Sequence, residues 1–72
     1  MMKLIDISRE MDGSAVLYVY ADTKSEVPAN VSTIPTIVGL PKDVTKIASN
    51  STFKTASFDI GTVQTDGTVV WI

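Results

Sequence analysis

Residues 11–18 read MDGSAVLY and residues 64–72 read QTDGTVVWI, so the chain uses one short pattern twice. Each stretch places Asp-Gly and a hydroxyl residue before a run of residues that favour β-strands. Asp-Gly between alternating apolar residues is the strongest short-range signal of a β-hairpin, because both residues tolerate positive φ. The repeated pattern therefore predicts two hairpins, one near each end of the chain.

A two-residue loop at each Asp-Gly fixes a predicted register, since side chains alternate between the faces of a strand. The first hairpin then pairs Met11 with Ser14, Arg9 with Val16, Ile7 with Tyr18, Ile5 with Tyr20 and Lys3 with Asp22. The second pairs Gln64 with Val69, Val63 with Val70, Thr62 with Trp71 and Gly61 with Ile72. Gly61 interrupts the alternation, which indicates a bulge or the close approach of another backbone.

All three prolines fall in residues 24–41, which we call the arm. Proline removes a ladder donor and keeps the preceding residue extended, so a regular helix or central strand is not expected there. The arm nevertheless carries apolar side chains at Val27, Val31, Ile34, Ile37, Val38 and Leu40. It is therefore expected to lie extended along a surface, either its own or a neighbour's.

The residues that follow the arm are also expected to be mainly β, so the predicted fold class is all-β. Residues 41–48 fit either one or two helical turns or a short strand. Residues 52–60, TFKTASFDI, are expected to form a strand with a bend near Ala56. The predicted fold is one small antiparallel β domain over residues 1–72, with a hairpin at 3–22, the arm at 24–41 and C-terminal strands at 44–72.

The composition favours a protein that works through contacts with other proteins. A chain of 72 residues buries only about 60% of its unfolded surface, yet 44% of its residues are apolar. Part of that apolar surface is expected to be covered by another subunit, in a homo-oligomer such as a trimer. The net charge of −2 and the lack of a basic cluster argue against nucleic acid. The short apolar runs argue against membrane insertion, and the first residues do not form a signal peptide.

The residue types argue against an enzyme. The chain has no Cys and no His, which removes the usual nucleophile–base pairs and the commonest metal ligands. The candidate acid pairs are Asp59 with Asp66, and Asp6 with Glu10, but these residues are expected in turns or on outward faces. We predict no catalytic residue, no metal and no cofactor. Three aromatic residues fit either packing or a stacking platform for sugars or bases, and packing is favoured: Tyr18, Tyr20 and Trp71.

The C-terminal stretch NSTFKTASFDIGTVQTDGTVVWI (residues 50–72) resembles the tails of short structural proteins of bacteriophage particles. The matching residues are Ser51-Thr52, Thr55-Ala56, Asp66-Gly67 and Trp71, with a weaker match at Gly39-Leu40-Pro41. The resemblance implies a structural role in the virion, in capsid decoration, a head fibre or a tail. It also implies assembly in the host cytoplasm and a larger virion or capsid protein as partner.

The predicted function is therefore that of a non-enzymatic virion protein, most specifically a minor or auxiliary capsid protein that acts by packing between subunits. The arm and the edge strands are expected to contact neighbouring chains, through main-chain pairing and apolar burial. The predicted interface residues are Ile34, Ile37, Val38, Leu40 and Trp71. The alternatives are a small carbohydrate- or peptide-binding β module and a phage tail component.

Overall fold

A computed structural model describes residues 1–72 and contains almost no helix. The strands are β1 (Lys3–Arg9), β2 (Ser14–Ala21), β3 (Lys46–Ile47), β4 (Thr52–Thr55), β5 (Ile60–Val63) and β6 (Val69–Trp71). One 3-10 turn, Lys24–Glu26, opens the arm. The all-β prediction is confirmed, and residues 41–48 contain the short strand β3 rather than a helix.

All six strands belong to one sheet in the order β1-β2-β4-β5-β6, with β3 also pairing with β2. The pairs β1/β2, β4/β5 and β5/β6 are antiparallel, whereas β2 runs parallel to β3 and β4. The sheet is therefore mixed, and the prediction of an antiparallel domain was wrong at its centre. A parallel neighbour needs a crossover of a dozen or more residues, and the arm is part of that crossover.

Both Asp-Gly turns have three-residue loops, so both predicted registers were wrong by one residue. In the first hairpin the pairs include Ser8 with Val16 and Ile7 with Leu17. In the second they are Gly61 with Trp71, Thr62 with Val70 and Val63 with Val69. Gly13 and Gly67 have φ of 86° and 87°, whereas no aspartate has positive φ. That geometry fits a type I turn closed by a glycine bulge, not the two-residue turn assumed from the sequence.

A third hairpin lies where a single strand was predicted over residues 52–60. The Phe58 amide donates to the Thr55 carbonyl at 3.0 Å, and the Thr55 amide donates to the Asp59 carbonyl at 2.9 Å. These bonds close a three-residue loop between β4 and β5, like the loops of the two Asp-Gly hairpins. Phe58, with φ of 65°, occupies the place that glycine fills in the other two.

The arm pairs with both outer strands of the sheet. At one edge, the Val69 amide donates to Ala29 at 3.0 Å and the Val31 amide donates to Gly67 at 2.8 Å. At the other edge, the Leu4 amide donates to Val38 at 2.9 Å, and the Val38 amide donates to Met2 at the same distance. Of the two surfaces considered for the arm, it therefore lies along the chain's own sheet, where it satisfies edge groups that would otherwise be open.

The core lies between the arm and the face of the sheet that the arm covers, which we call the inner face. Alternate residues of β2 point into it, as expected for a strand with one buried face. The buried apolar residues of the sheet and arm include Ala15, Leu17, Val19, Ala21, Val27, Val31, Ile37, Phe53, Val63 and Val69. Phe53 is completely buried and is the largest side chain of this core.

Ser51 meets a hydrogen-bonding requirement of this core, and Gly61 meets a spatial one. Between β3 and β4, the buried Ser51 hydroxyl accepts from the Leu17 amide at 2.9 Å and donates to the Ala48 carbonyl at 2.8 Å. It thereby supplies a hydrogen bond where the ladder to β2 is interrupted. At Gly61, an added Cβ would lie 2.8 Å from Val69 Cγ1 and 3.0 Å from the Trp71 ring. The predicted close approach therefore involves the side chains of β6, not another backbone.

We predict that Gly67→Ala lowers the free energy of unfolding more than Gly13→Ala. Both substitutions place a Cβ at a left-handed position, at a cost of about 1–2 kcal/mol. At Gly67 the new Cβ would also lie 2.7 Å from Asn30 Oδ1 and 2.9 Å from the Ser32 nitrogen. At Gly13 the nearest atom is Thr45 Oγ1 at 3.1 Å.

The crowding at Gly67 adds about 1–2 kcal/mol to the expected loss. Urea denaturation of the two variants, followed by circular dichroism, measures the difference. Equal losses, or a larger loss for Gly13→Ala, would contradict the tight contact between the C-terminal hairpin and the arm.

Candidate interaction surface

The side of the sheet away from the arm, here called the outer face, carries two rows of side chains that cross its full width, beside the shorter pair Ser8 and Val16. Cross-strand pairing places each residue beside the next along its row. The first row is Asp6, Tyr18, Thr52, Thr62 and Val70. The second row is Lys3, Tyr20, Lys54, Ile60 and Ile72, the last joined by its amide to the Ile60 carbonyl at 2.9 Å.

The outer face carries several exposed apolar side chains, of which Ile60, Val70 and Ile72 are neighbours. Tyr18, Ile60 and Val70 are 37%, 38% and 49% exposed, and Ile72 is 87% exposed. When one face of a sheet is buried and the other is exposed to water, the side chains on the exposed face are normally polar. A contiguous exposed apolar patch is typical of a surface that binds another molecule.

Phe58 extends this surface from the tip of the third hairpin. Its side chain is 78% exposed, and its ring centroid lies 5.4 Å from Lys54 Nζ. Since Lys54 belongs to the second row, the ring lies on the outer side of the sheet. A bulky residue at positive φ is a genuine backbone outlier, and such strain clusters at functional sites. The fold therefore holds an exposed aromatic ring at an energetic cost.

A shallow depression of about 200 Å³ lies at the opposite end of the outer face. Tyr18 lies between this depression and the second row. The remaining lining residues are Asp6, Ile7, Ser8, Val16, Leu17, Asn50 and Thr52. Asn50 has φ of 71°, so it is the second residue other than glycine with a left-handed backbone. The depression thus joins an aromatic ring to carboxylate, hydroxyl and amide groups.

The predicted interface residues lie largely inside the chain's own fold. Ile37 is buried, and Ile34, Leu40 and Trp71 are partly buried against the same core. Val38 differs, because its side chain is 48% exposed while its main chain pairs with β1. Their role in an interface remains a prediction. The outer face was missed, although the alternation of Tyr18 with Tyr20 and of Val70 with Ile72 was a readable signal for it.

The candidate acid pairs are not brought together. Asp59 precedes β5 and Asp66 follows it, so they lie at opposite ends of that strand. Asp59 is held by the Thr55 hydroxyl at 3.2 Å and by Lys24 Nζ at 3.5 Å. Asp6 accepts from the Ile7 amide at 2.8 Å. These contacts are those of structural carboxylates.

The turn aspartates act as hydrogen-bond acceptors for the residues after glycine. Asp12 accepts from the hydroxyl and amide of Ser14, which hold the pKa of its carboxyl below the ordinary 3.8. Asp66 accepts from the Thr68 amide at 3.0 Å, and this bond likewise lowers the pKa of Asp66. Both carboxylates therefore stabilise their turns in the ionised form.

We predict that Phe58→Gly raises the free energy of unfolding by about 1 kcal/mol. Glycine relieves the left-handed strain, and little buried area is lost because the ring is mostly exposed. The matched control is Ser57→Gly, at a neighbouring position without positive φ, where glycine should lower stability by about 0.5–1 kcal/mol. Thermal and urea denaturation measure both variants, and a destabilised Phe58→Gly protein would contradict the strain.

We predict that acid destabilises the fold through the turn aspartates. Because their pKa values are lowered in the folded state, their stabilisation is present above about pH 3.8 and is lost as the pH falls through the folded-state pKa. The double variant Asp12→Asn, Asp66→Asn keeps an oxygen acceptor but takes up no proton, so its stability should depend less on pH. Urea denaturation between about pH 6 and pH 2 compares the two proteins. An equally steep loss in the variant would contradict this role.

The structure contains no helix long and apolar enough to cross a membrane. It also contains no group of three or more acidic side chains placed to hold a metal ion. In comparisons with known proteins, no family model, curated protein or solved structure matches the chain.

Proposed function

We propose that this chain is a non-enzymatic structural protein of a bacteriophage particle, a minor or auxiliary capsid protein of the decoration or head-fibre type. It acts by packing its outer face against other subunits. The observation that carries the packing role is the uncovered apolar face of the sheet, overhung by Phe58. The resemblance of residues 50–72 to short virion proteins supports the phage assignment.

The rigid sheet suits this role because its outer side chains are fixed before binding. Strand pairing fixes the backbone of both rows, so little backbone conformational entropy is lost when a partner covers them. Burying the apolar side chains contributes about 25 cal/mol per Å² of apolar area, before ordering costs. Exposed aromatic rings such as those of Tyr18 and Phe58 are the residue types that dominate interface energies.

The arm contributes to this function in one of two ways. In the compact chain, Val38 is the exposed apolar side chain of the predicted interface set. Ile34, Ile37, Leu40 and Trp71 would meet a neighbour when the arm exchanges between copies and forms its present contacts in trans. Ile37→Asp tests folding rather than assembly, because Ile37 is buried, whereas Val38→Asp tests the arm as an outer contact.

A carbohydrate- or peptide-binding module is the second candidate function. The depression beside Tyr18 favours it, since an aromatic ring bordered by Asp6 and Asn50 has the chemistry that binds sugar hydroxyls. Under this function the isolated chain binds oligosaccharides, and the Tyr18 and Asn50 resonances shift on titration. A phage tail component is a third candidate, which shares the packing role at another location.

We predict that the protein is incorporated into particles of the phage whose genome encodes it, at a constant ratio to the major shell protein. The variant Ile60→Lys, Val70→Lys should be lost from purified particles by about tenfold or more, because two charges enter the apolar outer face. The matched control is Asp43→Lys, which also changes the charge by two units, at an exposed residue that pairs with Arg9 and lies away from the outer face. Val38→Lys tests the arm separately. Quantitative mass spectrometry of density-purified particles measures incorporation.

Particles that lack the wild-type protein would contradict the proposed virion role. Equal incorporation of the double variant would remove the outer face from that role. A selective loss of the Val38→Lys variant would move the contact from the outer face to the arm.

A further inference from the structure

We propose that the outer face binds the outer face of a second copy of this chain, about a two-fold axis that lies between the sheets and runs perpendicular to the strands. This inference rests on the proposed function, since it names the first partner of the same surface. Stacked sheets with aligned strands are a standard packing arrangement, with the faces about 10 Å apart.

The two-fold axis exchanges the two rows of the outer face. Each residue of the first row then faces the second-row residue that lies on the same strand or directly beyond its end. Four of these contacts are Asp6 with Lys3 of the partner subunit, Tyr18 with Tyr20 of the partner subunit, Val70 with Ile72 of the partner subunit, and Thr62 with Ile60 of the partner subunit. Acid meets base, aromatic meets aromatic and aliphatic meets aliphatic or the methyl of threonine.

Charge complementarity selects a second copy in this orientation. Asp6 is the acid of the two rows, and Lys3 and Lys54 are the bases. The perpendicular axis places both copies of Asp6 opposite Lys3 of the other copy, at the edge where the two β1 strands face each other. It places Lys54 opposite Thr52 of the partner subunit. An axis along the strands would instead place Lys54 opposite Lys54 of the partner subunit and Lys3 opposite an aliphatic side chain. Like charges in contact disfavour that alternative.

The same rotation gives Phe58 a binding site. The ring lies beyond the second row, next to Lys54, and the depression lies beyond the first row, next to Asn50. Exchange of the rows carries each Phe58 towards the depression of the other copy. This contact accounts for a phenylalanine where the two equivalent hairpins have glycine.

The size of the face sets the strength of the dimer. Five strands about 4.8 Å apart span about 24 Å, and the chain from Asn50 to the loop of the third hairpin extends about 20 Å at about 3.3 Å per residue. The footprint of roughly 500 Å² per copy is below the roughly 800 Å² of a standard stable interface. The isolated dimer is therefore expected to be weak, with a Kd in the micromolar range, and further contacts in a particle would reinforce it.

The test is a charge-swap series followed by sedimentation equilibrium and light scattering over a range of concentrations. We expect a reversible monomer–dimer equilibrium for the wild type. Asp6→Lys and Lys3→Asp should each weaken dimerisation by about tenfold or more, since each variant places like charges opposite one another. The double variant should regain the wild-type Kd within about threefold, because both contacts are restored with reversed sign.

Two further variants control for charge and for the aromatic contact. Asp43→Lys makes the same change in net charge as Asp6→Lys, at an exposed residue that pairs with Arg9 and lies away from the two rows. It should leave the Kd unchanged. Phe58→Gly should weaken dimerisation about tenfold while it stabilises the monomer. Circular dichroism confirms that each variant is folded before its association is measured.

A monomer at all concentrations up to about 1 mM would overturn the dimer. A trimer, or single variants whose association is not restored by the double variant, would overturn the two-fold arrangement. These outcomes differ from a failure of the virion role. A protein that dimerises as expected but is missing from particles keeps the dimer and loses the proposed function, whereas a monomer found in particles does the reverse.

Discussion

Main-chain pairing between the arm and both outer strands is the interaction on which the rest of the structure depends. Residues 29–31 lie beside β6 and Val38 lies beside β1, so one extended segment occupies both edges of a five-strand-wide sheet. The prolines that prevent a regular strand in the arm leave it free to reach both edges. Because the same segment carries Val27, Val31 and Ile37 into the core, closing the edges and covering the inner face are one structural event.

The sequence carries enough local information to predict the strands and turns, but not how they combine. Asp-Gly marks the position of both turns correctly. The choice between a two-residue and a three-residue loop depends on whether the aspartate adopts positive φ. Aspartate can adopt that conformation, but neither turn aspartate does so in the structure. The third hairpin has no glycine at its closing position, so TFKTASFDI looks like one strand. The parallel contact of β2 with β4 links Tyr18 to Thr52 and has no local signature at all. Parts of the candidate site have a local signal in the alternation of Tyr18 with Tyr20 and of Val70 with Ile72. The complete rows combine residues from five separate strands, whose order the sequence does not show.

Under the proposed association, the arm and the outer face divide the apolar residues of this short chain between folding and binding. The apolar arm and the edge strands suggested an interface formed by Ile34, Ile37, Leu40 and Trp71, and these residues pack in or against the chain's own core. Ile60, Val70 and Ile72 are left exposed on the outer face. Phe58 is a further exposed apolar residue, and its strained backbone does not stabilise the monomer. A residue that costs folding energy and stands in solvent is best explained by a partner.

The parallel pairing of β2 with β4 also determines the order in which the chain folds. Each of the three hairpins closes a loop of only a few residues and forms within microseconds. Joining β2 to β4 instead requires closure of a loop of more than thirty residues. The chain loses the conformational entropy of this loop before the strand contact stabilises it. The pairing of the arm with the C-terminal hairpin, between Val31 and Gly67, also joins residues far apart in the chain. We therefore expect these long-range contacts to form more slowly than the hairpins. Until then the hairpins expose Phe53 and Val63 together with the edges of their strands. The newly made chain is therefore most exposed to aggregation in the interval before its centre closes.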